Sequence, residues 1–136
     1  MVAVAQTSPR QKWHDRYPEL GTGPISIEPY VSRAYFEKER ERIFSKVWLN
    51  IGRVEQIPRP GDYFVKDLAV CHTSVLVVRG KDGTLRAFHN MCSHRGNQLV
   101  WDQKGTCQAF TCKFHGWVYG LDGALRHITD EDNFFA

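Results

Sequence analysis

Two short stretches constrain this chain more than anything else in it: Cys92-Ser93-His94-Arg95-Gly96 and Cys112-Lys113-Phe114-His115-Gly116-Trp117. Each offers one thiol and one imidazole within four residues, and seventeen residues separate His94 from Cys112. Thiolate and neutral imidazole bind soft and borderline transition metals, so two such half-sites point to a metal before any fold is considered. A structural zinc site usually draws on a Cys-x-x-Cys knuckle and a helix with paired histidines, and neither is present here.

The order Cys-x-His, about twenty residues, Cys-x-x-His resembles instead the Rieske pattern, in which two histidines replace two cysteines on one iron of a [2Fe-2S] cluster. The resemblance implies that Cys92 and Cys112 bind the inner iron, and His94 and His115 the outer one. Mixed ligation matters through charge. Two neutral imidazoles in place of two thiolates leave the oxidised cluster less negative, so an electron is accepted more easily and the potential rises. Gly96 and Gly116 follow the ligands, where a missing Cβ lets the backbone turn tightly and aim N–H groups at sulfur.

A chain of 136 residues is expected to form one compact domain with an appended arm, without need of disulfide staples. The net charge of +3 comes from scattered basic residues interleaved with acids, which argues against a nucleic-acid partner. No apolar run approaches a membrane span, the longest β-type run being Ser74 to Val78, and Met1 to Arg10 lacks a signal-peptide hydrophobic region. The expectation is a cytoplasmic protein with no membrane contact.

Residues 1–47 read as an arm with one helix and residues 48–136 as the cluster domain. Met1 to Gly23 carries turn formers without helical or strand period, and is expected to wrap the surface or stay partly disordered; His14 within it is a solvated histidine. Pro24 to Pro29 is expected to be extended. Ser32 to Val47 predicts a helix, with Ser32 as N-cap, Phe36, Ile43, Phe44 and Val47 on one packing stripe, and opposite charges spaced at i,i+3 for Glu37 with Arg40 and Glu39 with Arg42. From Trp48 onward branched and aromatic residues predict strands at Trp48–Arg53, Tyr63–Leu68, Ser74–Arg79, Leu85–Asn90, Cys107–Thr111, Trp117–Gly120 and Ala124–Ile128. Pro58 to Asp62, Lys81-Asp82-Gly83 and Leu121-Asp122-Gly123 supply the reversals. The result is a mainly β chain of stacked antiparallel sheets, with the two ligand loops projecting from hairpin ends and no internal repeat beyond those loops.

The remaining polar candidates are read as structural. Cys71 and Cys107 are expected to be reduced, buried thiols, and His72, His89 and His127 to be strand histidines rather than ligands. Arg95, Lys104 and Lys113 lie within or between the ligand loops, where a positive rim would steer an acidic electron donor. Trp101, Phe114, Trp117 and Tyr119 are placed to shield a cluster from water.

The ligand loops, the run Cys112 to Tyr119, and the stretch Tyr30 to Leu68, with Phe44-Ser45-Lys46-Val47-Trp48 leading towards Pro60-Gly61-Asp62-Tyr63, together resemble the amino-terminal part of the α-subunit of Rieske non-haem iron ring-hydroxylating oxygenases. That resemblance implies a Rieske-type fold preceded by an arm with one α-helix, and a [2Fe-2S] cluster that takes electrons singly from a ferredoxin or reductase. It also implies delivery to a mononuclear Fe(II), held by two histidines and a carboxylate in a separate catalytic domain, in an oligomeric full-length enzyme where a neighbouring α-subunit can be the acceptor. After His115 only His127 and the acidic run Asp130-Glu131-Asp132 remain, so no such triad can be built here and the chain is expected to transfer electrons only. A stand-alone Rieske ferredoxin and a zinc-binding interaction module are the competing readings. The long arm ahead of the first cluster-domain strand argues against the ferredoxin.

Overall fold

Three of the expected strands, joined by one that was not expected, assemble the larger of two sheets. The structure, a computed structural model, describes residues 12–129 and 131–134. Strands Asp62–Leu68 (β1), Thr73–Arg79 (β2) and Leu85–His89 (β3) form an antiparallel meander, and Lys104–Thr106 (β4) pairs with the other edge of β1, giving the order β3-β2-β1-β4. Phe110–Thr111 (β5), Val118–Tyr119 (β6) and Leu125–His127 (β7) make a second, three-stranded antiparallel sheet. Chain contacts divide the described residues into two units between Phe36 and Glu37, and both sheets lie in the second.

The period of two in β1 and β2 fills two cores. Tyr63, Leu76 and Val78 point to one face, where they meet Phe110, Tyr119, Leu121 and Ile128. Tyr63 packs edge-on to Phe110 with centroids 5.6 Å apart, an arrangement the ring quadrupoles favour. Phe64 and Val77, on the opposite face, close over Ile57, so β2 is covered on both sides and reads as an unbroken apolar run. Cys92, Cys112 and Trp117 belong to the first core, which places the ligand loops at its rim.

The two hairpin turns are the same device used twice, an internal repeat that the sequence reading missed. Gly80-Lys81-Asp82-Gly83-Thr84-Leu85-Arg86 and Gly120-Leu121-Asp122-Gly123-Ala124-Leu125-Arg126 share glycine, aspartate, glycine, leucine and arginine at matching places. In each, the first glycine N–H bonds the carbonyl four residues on (Gly80 to Thr84 and Gly120 to Ala124, both 2.8 Å), and the aspartate accepts the N–H two residues on at 3.1 Å. The arginine then ion-pairs with that aspartate, Arg86 with Asp82 and Arg126 with Asp122. Only Lys81 against Leu121 and Thr84 against Ala124 differ between the two.

Several expectations are corrected. Trp48–Arg53 is not a strand: Asn50 Oδ1 accepts Gly52 N–H at 3.1 Å and Gln56 Oε1 accepts Arg53 N–H at 2.7 Å, so side chains take the donors a neighbouring strand would need. Cys107–Thr111 contracts to β5, while β4 was missed because Lys104-Gly105-Thr106 carries no apolar signal. The helix starts as expected, with Ser32 Oγ accepting Tyr35 N–H at 3.2 Å, but runs α-helical only over Arg33–Glu39. Its continuation Arg40–Phe44 is a π-turn in which Ser45 N–H reaches Arg40 O at 3.0 Å while Ser45 Oγ donates to Glu41 O at 2.7 Å. Glu37 and Arg40 do pair, yet Phe36, Ile43 and Val47 are exposed, so the stripe does not pack as expected. Pro24 to Pro29 is not extended throughout, since Glu28–Val31 forms a helical turn with Pro29 in its first turn, where a missing N–H costs nothing. Trp13–Arg16 and Pro18–Leu20 are short helical turns within the stretch expected to be irregular; its first part, residues 1–11, lies outside the described residues. Among the described residues no helix is long and apolar enough to cross a membrane.

Candidate metal centre

Both ligand loops have the same backbone. Cys92 N–H bonds Asn97 O at 2.7 Å and Cys112 N–H bonds Trp117 O at 2.8 Å, so each loop closes five residues after its cysteine. Inside each, the glycine N–H returns to the cysteine carbonyl, Gly96 to Cys92 and Gly116 to Cys112, both at 2.9 Å. The glycines sit at φ 71° and 73°, a region that favours a residue without Cβ. Their own N–H groups are spent on carbonyls, while in loop two the N–H groups of Phe114 and His115 turn to the Cys112 sulfur, as expected of a tightly folded ligand loop. Histidine is the second residue after the cysteine in loop one and the third in loop two, yet the two imidazoles meet, with ring centroids 4.8 Å apart and planes at 61°.

The thiols also converge, and both are buried. Burial opposes ionisation of Cys112, but the N–H groups of Phe114 and His115, the neighbouring Cys92 thiol and the Asn97 amide outweigh it and hold the thiol below its ordinary range. The Asn97 amide approaches Cys112 Sγ at 3.7 Å. On the other side the Tyr119 hydroxyl lies 3.1 Å from Cys92 Sγ and 2.9 Å from Ser93 Oγ, and accepts Ser93 N–H at 3.1 Å. Burial, followed by the bond to Cys92, pushes the Tyr119 phenol up, so it stays a donor. Asn90, which the sequence reading passed over, is buried and anchors loop one: its Nδ2 donates to Val100 O at 2.7 Å and its Oδ1 accepts Val100 N–H at 2.9 Å. Only its place two residues before Cys92 could have flagged it.

The aromatic shield divides. Trp117 and Tyr119 are buried, whereas Trp101 and Phe114 are exposed and line an open cleft of about 320 Å³ with Asn97 and Lys113. Arg95 lies over the Phe114 ring, 5.6 Å from its centroid. Lys104 departs from this rim: it sits in β4 and lines a separate cleft with Asn50 and Gln56. Cys71 and Cys107 are free and only half-buried; Cys71 Sγ donates to Phe44 O at 3.6 Å. His89 bonds Thr73 Oγ1 at 2.9 Å, and His72 and His127 are exposed.

Two neighbouring buried thiols beside two facing imidazoles fit a binuclear cluster ligated unequally at its ends. His115 Nδ1 is buried with no hydrogen-bond partner, a lone pair left for a metal. Among the described residues no three His, Cys, Asp or Glu side chains are placed to hold a single metal ion, as a tetrahedral zinc site would need.

Fold and donor set together define a small two-sheet β-domain that brings two thiols and two imidazoles to one place. Residues 47–135 match the family model of the Rieske [2Fe-2S] domain, and the chain belongs to that family, whose cofactor is the [2Fe-2S] cluster. It is 38% identical over 114 residues to the biphenyl 2,3-dioxygenase α-subunit of Rhodococcus jostii, covering 84% of this chain and 24% of that one. It is likewise 38% identical over 96 residues to the carnitine monooxygenase oxygenase subunit of Acinetobacter baumannii, covering 71% and 25%. Among solved structures, a naphthalene 1,2-dioxygenase superposes with a TM-score of 0.71 at 35% identity, covering 78% of this chain and 23% of that one. A quaternary ammonium Rieske monooxygenase gives 0.74 at 34%, covering 80% and 30%. The chain thus spans about a quarter of the length of the curated relatives it matches.

Proposed function

We propose that this chain is the electron-transfer domain of a ring-hydroxylating oxygenase α-subunit, with Cys92 and Cys112 holding the inner iron and His94 and His115 the outer one. The observation that carries this reading is the sorting of the four side chains, thiols together in the core and imidazoles facing each other at 4.8 Å with one buried ring nitrogen spare. When bound, such a cluster supplies a one-electron relay between a ferredoxin or reductase and a mononuclear iron in a catalytic domain outside this chain. The chain's own residues orient and tune it. Asn97 and the N–H groups of Phe114 and His115 stabilise charge on Cys112, Tyr119 does so on Cys92, and the buried side chains around them exclude water. Oxygen activation belongs to that other domain, in the same or a neighbouring α-subunit. Arg95 and Lys113, with exposed Phe114 and Trp101, offer a cationic and aromatic edge suited to an acidic donor protein.

Anaerobic reconstitution with iron and sulfide tests the assignment. The expected product carries two irons and two acid-labile sulfides per chain and the electron paramagnetic resonance spectrum of a reduced Rieske cluster. A chain that binds zinc tightly and takes up no labile sulfide would overturn it. Reduction by a ferredoxin should slow as salt is raised; a rate indifferent to ionic strength would remove the cationic docking edge.

A further inference from the structure

Trp117 belongs to the second ligand loop, yet its indole lies flat against His94 of the first, with centroids 4.6 Å apart and planes within 10°. The backbone of the same residue closes its own loop by accepting Cys112 N–H. One residue therefore ties both half-sites together. Its side chain is buried, and Nε1 is buried with no hydrogen-bond partner. Indole N–H is a donor only, and a buried donor without an acceptor is rare enough in folded chains to demand a cause. Packing alone does not supply one, because a phenyl ring would fill the space without an orphaned proton.

The local acceptors are accounted for. Tyr119 approaches Cys92 Sγ, while Asn97 and two backbone N–H groups serve Cys112 Sγ, and neither thiol lies within bonding reach of the indole N–H. A [2Fe-2S] cluster brings further acceptors into the cradle, its inorganic sulfides. We propose that Trp117 is a positioning residue for the cluster: its face sets the plane of His94, and its N–H donates to an inorganic sulfide. This rests on the cluster reading above. A hydrogen bond to sulfur favours the more negative, reduced cluster, so Trp117 raises the potential.

The chain reconstituted with indole-15N tryptophan provides the direct test. The reduced cluster should show a 15N coupling in electron–nuclear double resonance, together with an exchangeable-proton coupling, and both should vanish in Trp117→Phe. That variant keeps a ring against His94 and should keep its cluster content. Its reduced-to-oxidised ratio at the wild-type midpoint should fall about fivefold, equivalent to roughly 40 mV for one electron. Trp117→Leu, which removes the face as well, should also alter the His94 nitrogen couplings. A wild-type chain with a normal Rieske spectrum but no indole coupling refutes the hydrogen bond even if neither variant folds. Unchanged histidine couplings in Trp117→Leu refute the positioning role. A wild-type chain that takes up no cluster at all instead refutes the reading on which both rest.

Discussion

The Tyr119 hydroxyl reaches across from the second sheet to within 3.1 Å of Cys92 Sγ, and it is held there by both polar groups of Ser93. Strand β6 thus delivers a donor to the proposed ligand Cys92 of the opposite loop. A thiolate bonded to a donor is less electron-rich, which makes the cluster easier to reduce.

Tyr119→Phe should therefore assemble a cluster with a lower potential. If the bond favours the reduced state by about 1 kcal/mol, the fall is roughly 40 mV for one electron. Spectroelectrochemical titration of the reconstituted chain reads it directly. A midpoint at or above the wild-type value would mean that the hydroxyl serves Ser93 alone.

The four proposed ligands should not behave alike. Cys92→Ser or Cys112→Ser removes a buried thiolate and should abolish cluster assembly, scored as iron and labile sulfide per chain. His94→Cys or His115→Cys restores negative charge at the imidazole end and should lower the potential or erase the Rieske spectrum. Wild-type content and spectrum in all four variants would unseat the assignment.

The centre was legible in the sequence because its residues are rare and closely spaced: one thiol, one imidazole and one glycine per loop suffice to fix the backbone seen twice here. The hairpin turns were legible for the same reason, since Asp82-Gly83 and Asp122-Gly123 dictate their own geometry. What stayed hidden depends on partners far along the chain. Lys104-Gly105-Thr106 becomes a strand only because β1 offers it an edge, and Gly105 is needed there because a Cβ would sit 2.6 Å from the Tyr63 hydroxyl oxygen. Asn90 matters only because Val100 folds back onto it. Trp101 and Phe114 have the composition of a core but project beyond it, and no period of hydrophobicity distinguishes the two cases.

Asn90→Ala should cost about 1–3 kcal/mol of stability, because it strands the N–H of buried Val100, while the Val100 carbonyl loses one of two donors and keeps Gln98 Nε2 at 2.9 Å. Urea denaturation of the chain gives the value. Since the anchor lies two residues before Cys92, cluster occupancy at limiting iron should fall with it. A variant as stable as wild type would show that water replaces the amide at no cost.

Acid should unfold the chain through its structural aspartates. The Thr106 hydroxyl and the Arg59 N–H hold the Asp62 carboxyl below its ordinary range, with Thr106 Oγ1 at 2.6 Å and Arg59 N at 2.9 Å. Arg86 and the Thr84 N–H lower Asp82 further still, and the Ala124 N–H and Arg126 lower Asp122. A folded-state value below the unfolded one of about 3.9 gives stability that is present above that pH and is lost as pH falls through the folded value. Melting temperature should therefore drop as pH is lowered below about 4. Asp62→Asn should make that drop shallower, and an identical slope in the variant would clear Asp62 of the role.

Gly96 and Gly116 offer a matched pair of substitutions that separates backbone strain from crowding. Both have positive φ, 71° and 73°, so alanine at either should cost about 1–2 kcal/mol for the left-handed conformation. A Cβ on Gly96 meets nothing closer than Met91 Sδ at 3.7 Å, ordinary contact with a flexible side chain. On Gly116 it falls 2.6 Å from Thr129 Oγ1, so Thr129 or loop two must shift. Gly116→Ala should therefore be the more destabilising of the two, and the only one to disturb the His115 end of the centre. Adding Thr129→Ala should remove the oxygen in the way and recover the difference, leaving the two alanine variants equal within about 0.5 kcal/mol. If Gly96→Ala proves the worse, loop one is the tighter of the pair and the crowding at Thr129 has no bearing on the ligand loop.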